Sequence, residues 1–138
     1  MNKSNYDRRW SKLFLIAALF NYSIGIPILF FSSWSFDRSF VEAVGRDPLA
    51  IWLWADFGFV VLLIGYGYQI ISRNIRKNRG IVLLGMIAKL FDVINLSLLY
   101  AWGYARPLVL IPAFIDGLFA IAFAVFWFSK PPDEDRPT

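Results

Sequence analysis

The sequence predicts an all-α, polytopic membrane protein built as a bundle of four transmembrane helices. Three observations carry that expectation. The 138-residue chain is 58% hydrophobic and 19% aromatic with a mean hydropathy of +0.54, too little polar surface for a soluble domain of this size. Its apolar residues gather into four runs, each near the ~20 residues needed to cross a hydrocarbon core. Lysines, arginines and tryptophans sit at the ends of those runs, where positive charge and aromatic belts meet head groups.

The first span is expected at about Leu13–Phe31, behind a head carrying Lys3, Arg8, Arg9 and Lys12. The Arg8-Arg9 pair invites a secretory or twin-arginine reading. The run is too long for a signal-peptide core and no small-residue cleavage site follows, so a retained helix is expected. The second span is expected at 51–71, with Pro48 in its first turn and Asp47 as its cap. The third covers 81–102, and the fourth 108–128, entered through Pro107. One transmembrane domain thus occupies residues 1–128. The proline-rich polar tail 129–138 is expected to be disordered.

The loops set the orientation. The head, the 72–80 loop (Arg73, Arg76, Lys77, Arg79) and the tail (Lys130, Arg136) hold ten basic residues, against three on the other side, Arg38, Arg46 and Arg106. By the positive-inside rule both termini are expected in the cytoplasm, and the bilayer to be a bacterial inner membrane. The net charge of +4 is accounted for by these flanks, so no nucleic-acid partner is expected.

Between the first two spans, Phe36, Phe40 and Val44 recur at helical spacing, with Asp37, Arg38 and Glu42 on other faces and Gly45 as a stop. A short amphipathic helix on the outer membrane surface, an ordinary connecting loop, and a lid over the bundle all fit this pattern.

Function is expected where charge enters the apolar spans. Asp56, Lys89, Asp92 and Asp116 each cost about 2.5–3.5 kcal/mol at a helix centre in lipid, so they must turn toward one another, water or a partner. At 1.5 Å per residue Lys89 lies about 12–14 Å from the inner edge, and Asp116 about 12–13 Å from the outer edge, level with Asp92. Lys89 and Asp92, three apart, share a helix face. Asn21 comes close to the depth of Lys89, Asn95 extends the polar stripe outward, and Asp56 lies in the outer third of its helix. Lys89 is expected to pair with Asp116 or Asp92, leaving another acid protonated or bound to a cation. The bland alternative is interhelical glue, worth ~0.6 kcal/mol per contact, and for Asn21 and Asn95 it is the better account.

Small residues point to close packing: Ala17, Asn21 and Gly25 step by four in the first helix, as do Ala113 and Gly117 in the last. Pro27 and Pro112 each remove a helical hydrogen bond, freeing the carbonyls of Ser23 and Leu108 and opening space one turn before Asp116. The Gly65-Tyr66-Gly67-Tyr68 run loosens the inner end of the second helix. It lies inside an apolar helix, so it reads as tyrosine packing and not as a phosphate loop.

Much chemistry is excluded. The chain contains neither cysteine nor histidine, which removes thiol catalysis, Ser–His–Asp triads and ordinary zinc, copper or bis-histidine haem sites. The Gly-x-Gly-Asp signature of intramembrane aspartyl proteases and the Asp-x-x-Asp-Gly pattern of lipid head-group transferases are both missing. No enzyme activity, cofactor or metal is expected.

Three segments, Phe20-Asn21-Tyr22-Ser23-Ile24-Gly25, Gly65–Tyr68 and Gly85-x-x-x-Lys89, together with length and topology, resemble short four-helix bacterial inner-membrane proteins, DoxX-like proteins among them. That resemblance implies the four-helix fold and an association with quinone-linked redox complexes. The small multidrug transporters are less similar, because their essential acid lies in helix one, where this chain has Asn21. Two functions are therefore expected to compete. One is a binding or accessory subunit whose charged core is completed by a membrane partner or a second copy. The other is a proton- or cation-coupled transporter using Asp92, Asp116 and Lys89, with Asp56 at its outer entry.

Overall fold

In lipid every backbone N–H and C=O must find its partner within the chain, so apolar runs of this length fold as helices. The computed structural model describes residues 3–129, arranged as five α-helices: α1 (Lys3–Phe30), α2 (Ser32–Ser39), α3 (Pro48–Arg73), α4 (Arg79–Ala101) and α5 (Leu110–Phe128). Short 3-10 turns occupy Glu42–Val44 and Pro107–Val109. Four of the helices are long and apolar enough to cross a membrane, and the chain is an all-α, multi-pass membrane bundle. Of the tail expected to be disordered, 129–138, residues 130–138 lie outside the described residues, and Ser129 is instead held in place, its amide donating to the Val125 carbonyl at 2.9 Å.

Two antiparallel helix pairs build the bundle, α1 against α3 and α4 against α5. The first pair is close because glycine removes side chains from the seam. A Cβ on Gly58 would come within 2.7 Å of the Leu29 backbone nitrogen, and one on Gly25 within 3.0 Å of the Gly58 carbonyl oxygen. Gly65 lies against Asn21 and Tyr22 on the same seam, and α3 runs unbroken through Gly65 and Gly67. Ala17 and Ala18 are fully buried. Asp47 accepts a hydrogen bond from the Leu49 amide at 2.9 Å and Pro48 opens the helix, as the sequence leads one to expect.

The pairs meet through aromatic rings at the end of the bundle that carries the basic loop. Phe14 of α1 stacks on Phe123 of α5 with centroids 4.9 Å apart, and Tyr68 of α3 meets the same ring edge-on at 5.0 Å. Here α1 starts about ten residues earlier than the apolar run. Tyr6 and Trp10 pack on Phe126, and Asp7 accepts from Arg76 Nε at 3.1 Å, so the basic head is helical and docked. Arg79 donates to the carbonyls of Trp127 and Ser129, placing a cation on the unsatisfied end of α5.

At the opposite end α2 folds over the bundle. It packs on α1, α3 and the Pro107–Val109 turn. Phe36, Phe40, Trp54 and Phe57 form a chain of ring contacts at 4.7–5.4 Å, and Trp54 Nε1 donates to Ser35 Oγ at 2.9 Å. The helix stops at Ser39, short of Val44. Phe40 leaves it to form an antiparallel bridge with Ala105, with Arg106 N donating to Ser39 O at 2.8 Å. Pro112 is the third residue of α5, where an amide has no intrahelical partner. It marks the helix entrance and not a mid-helix break.

Candidate functional site

Three of the expected polar residues converge at mid-bundle. Asn21, Lys89 and Asp116 are only 3%, 2% and 4% exposed. The Lys89 ammonium donates to Asp116 Oδ1 and, at 2.6 Å, to Asn21 Oδ1. Asn21 in turn donates its amide to the Val61 carbonyl at 3.1 Å. All four long helices thus share one polar knot, with α3 contributing a backbone oxygen. Of the two acids open to Lys89, Asp116 is the one paired.

Aromatic rings complete the surroundings of the ammonium. The centroids of Phe20, Tyr68 and Phe119 lie 5.4, 5.7 and 5.8 Å from Nζ, within the range of cation–π attraction. Tyr68 reaches this position because Gly85, one turn before Lys89, has no side chain. A Cβ there would overlap the phenol ring, whose hydroxyl donates to the Gly85 carbonyl at 3.1 Å.

Above this knot a cavity of about 320 Å³ lies between the two helix pairs. Its floor is Asn21, Lys89, Asp92 and Asp116, and its walls include Ile24, Pro27, Val61, Leu96 and Pro112. Ser35 and Ser39 of α2 close it from above. Exposed Ser23, Leu108 and Ile111 mark an opening between α1 and α5, with Trp34 and Arg38 at its edge. Both prolines line the space.

Asp92 is half-buried on the cavity floor, one turn from Lys89, and among the described residues it makes no hydrogen bond or ion pair. Only one oxygen of Asp116 is engaged there. Two expected residues lie elsewhere. Asp56 is exposed on the outer face of α3 among Trp52, Leu53 and Phe59, and does not line the cavity. Asn95, half-buried, returns its amide to the Phe91 carbonyl at 2.9 Å in its own helix, the local bond of a polar residue with no interhelical partner.

The roles of Phe20, Tyr68, Phe119 and Val61 escaped sequence reasoning, since aromatic and aliphatic residues in a span look alike whether they face lipid or a charge. Gly85 four residues before Lys89 was the one available signal. Among the described residues no group of three acids, histidines or cysteines gathers to hold a metal ion. The chain matches no protein-family model, no curated protein and no solved structure.

Proposed function

We propose that the protein is a non-enzymatic binding subunit of a bacterial inner membrane, with both termini cytoplasmic, that holds a small molecule between its helix pairs. The observation that carries the reading is the apolar cavity ending on Lys89, Asp92 and Asp116. A pair that served only helix register would be packed closed, whereas this one forms the floor of an accessible space. At about 320 Å³ the space reaches the ~300–1,000 Å³ range of small-molecule sites, and mostly apolar walls with a few polar groups are the usual composition. The ten-to-three split of basic residues supports the orientation. Asp56 supports an accessory role: an acid on a lipid-facing surface of α3 is relieved when a partner helix or a second copy supplies a donor.

Native mass spectrometry on protein extracted in mild detergent tests the proposal. A small-molecule adduct is expected, lost when Ile24→Trp fills the cavity while the circular dichroism of the bundle is retained. An adduct unaffected by that substitution would count against the cavity. A stoichiometric membrane partner is expected to co-purify and to be released by Asp56→Ala.

The transporter reading is favoured by one observation, the unpartnered Asp92 facing the cavity. In that reading Asp92, Asp116 and Lys89 form the coupling site, and Asp56, outside the cavity, has no entry role. Hydrophobic carbodiimide labelling of Asp92, blocked by cations and matched by ion flux in proteoliposomes, would favour it over the binding subunit.

A further inference from the structure

Resting on the reading of the cavity as a ligand site, its charge distribution restricts what it holds. The floor carries two carboxylates and one ammonium. The ammonium is already committed: it donates to Asp116 and Asn21, and its remaining surface faces three aromatic rings. An anionic ligand would find no free cation at this depth. Two acceptors are open instead, the Asp92 carboxylate and the second oxygen of Asp116, neither hydrogen-bonded among the described residues. Arg38 stands at the exposed edge of the cavity, its guanidinium 5.5 Å from the Trp34 ring centroid, and among the described residues it makes no ion pair with the floor acids.

We propose that the cavity binds a protonated amine carried on an apolar body, its ammonium seated between Asp92 and the free oxygen of Asp116. The amine neutralises the surplus negative charge, donates to both open acceptors and leaves the Lys89–Asp116 pair in place. Its apolar body lies along Ile24, Pro27 and Pro112, and entry is from the lipid side through the gap between α1 and α5. The positively charged group stops level with Asp92 because Phe20, Phe119 and the Lys89 ammonium block anything deeper.

The test is calorimetric titration of the full chain in nanodiscs with phenylbutylammonium, phenylbutanol and phenylbutyrate, three molecules of one shape that differ in head-group charge. Charge-assisted hydrogen bonding should make the amine bind at least about tenfold more tightly than the alcohol. Asp92→Asn should weaken the amine far more than the alcohol and so remove that advantage, and Ile24→Trp should abolish binding of the amine. Alcohol or carboxylate binding as tight as the amine, or amine binding unmoved by Asp92→Asn, overturns the assignment of ligand class. If the alcohol still binds and Ile24→Trp abolishes that, the cavity remains a ligand site for another chemistry. Failure of all three to bind overturns both.

Discussion

Removing the Asp116 charge without changing its shape, by Asp116→Asn, leaves the Lys89 ammonium, 2% exposed, with neutral amide oxygens as its only close acceptors and no counter-charge in contact. Breaking a buried ion pair from one side costs about 3–5 kcal/mol, and an unpaired lysine at mid-membrane about 2.5–3.5 kcal/mol on insertion scales, so the two routes meet near 3 kcal/mol. That corresponds to roughly two decades in the unfolding constant. Asp92, one turn along the same face, supplies a second negative charge, so Asp92→Asn with Asp116→Asn should cost more than the sum of the two single changes. Replacing both partners, Lys89→Met with Asp116→Leu, removes the stranded charge and should restore most of the stability. Reversible unfolding in mixed detergent micelles measures the six variants in two double-mutant cycles, Asp92→Asn with Asp116→Asn and Lys89→Met with Asp116→Leu. Additive costs for Lys89→Met and Asp116→Leu, with no recovery in the double variant, would refute the claim that the knot is one electrostatic unit.

Four further outcomes follow from the packing. Gly85→Ala drives a methyl into the Tyr68 ring and should destabilise by about 1–3 kcal/mol, with Tyr68→Leu recovering part of it, as thermal unfolding in detergent will show. Gly58→Ala meets the Leu29 backbone nitrogen, which cannot swing aside, and should exceed the cost of Gly85→Ala; Gly80→Ala, in open space, should instead stabilise α4 by up to about 1 kcal/mol. Trp54→Phe deletes the hydrogen bond that fastens α2 through Ser35. Faster amide exchange at Ser35–Phe40, with rates in α4 unchanged, is the expected signature.

What the chain alone determined is what a bilayer imposes on any sequence. Span length follows from hydrocarbon thickness, helicity from the need to satisfy every backbone group, and the Asp47–Pro48 helix start from local capping chemistry. Convergence of Asn21, Lys89 and Asp116 was also legible, because depth along a helix is arithmetic and an unpaired charge in lipid is too costly to leave alone. Rotation about each helix axis was not. Asp56, in the outer third of its helix, faces outward, because Gly58 and Gly65 dictate which side of α3 meets α1, and that seam places Asp56 on the opposite face. The cavity is tertiary as well. It lies beyond the ring contacts that join α1 to α5, which run from Phe14 on Phe123 to Phe20 on Phe119, and no property of either helix alone states where they end.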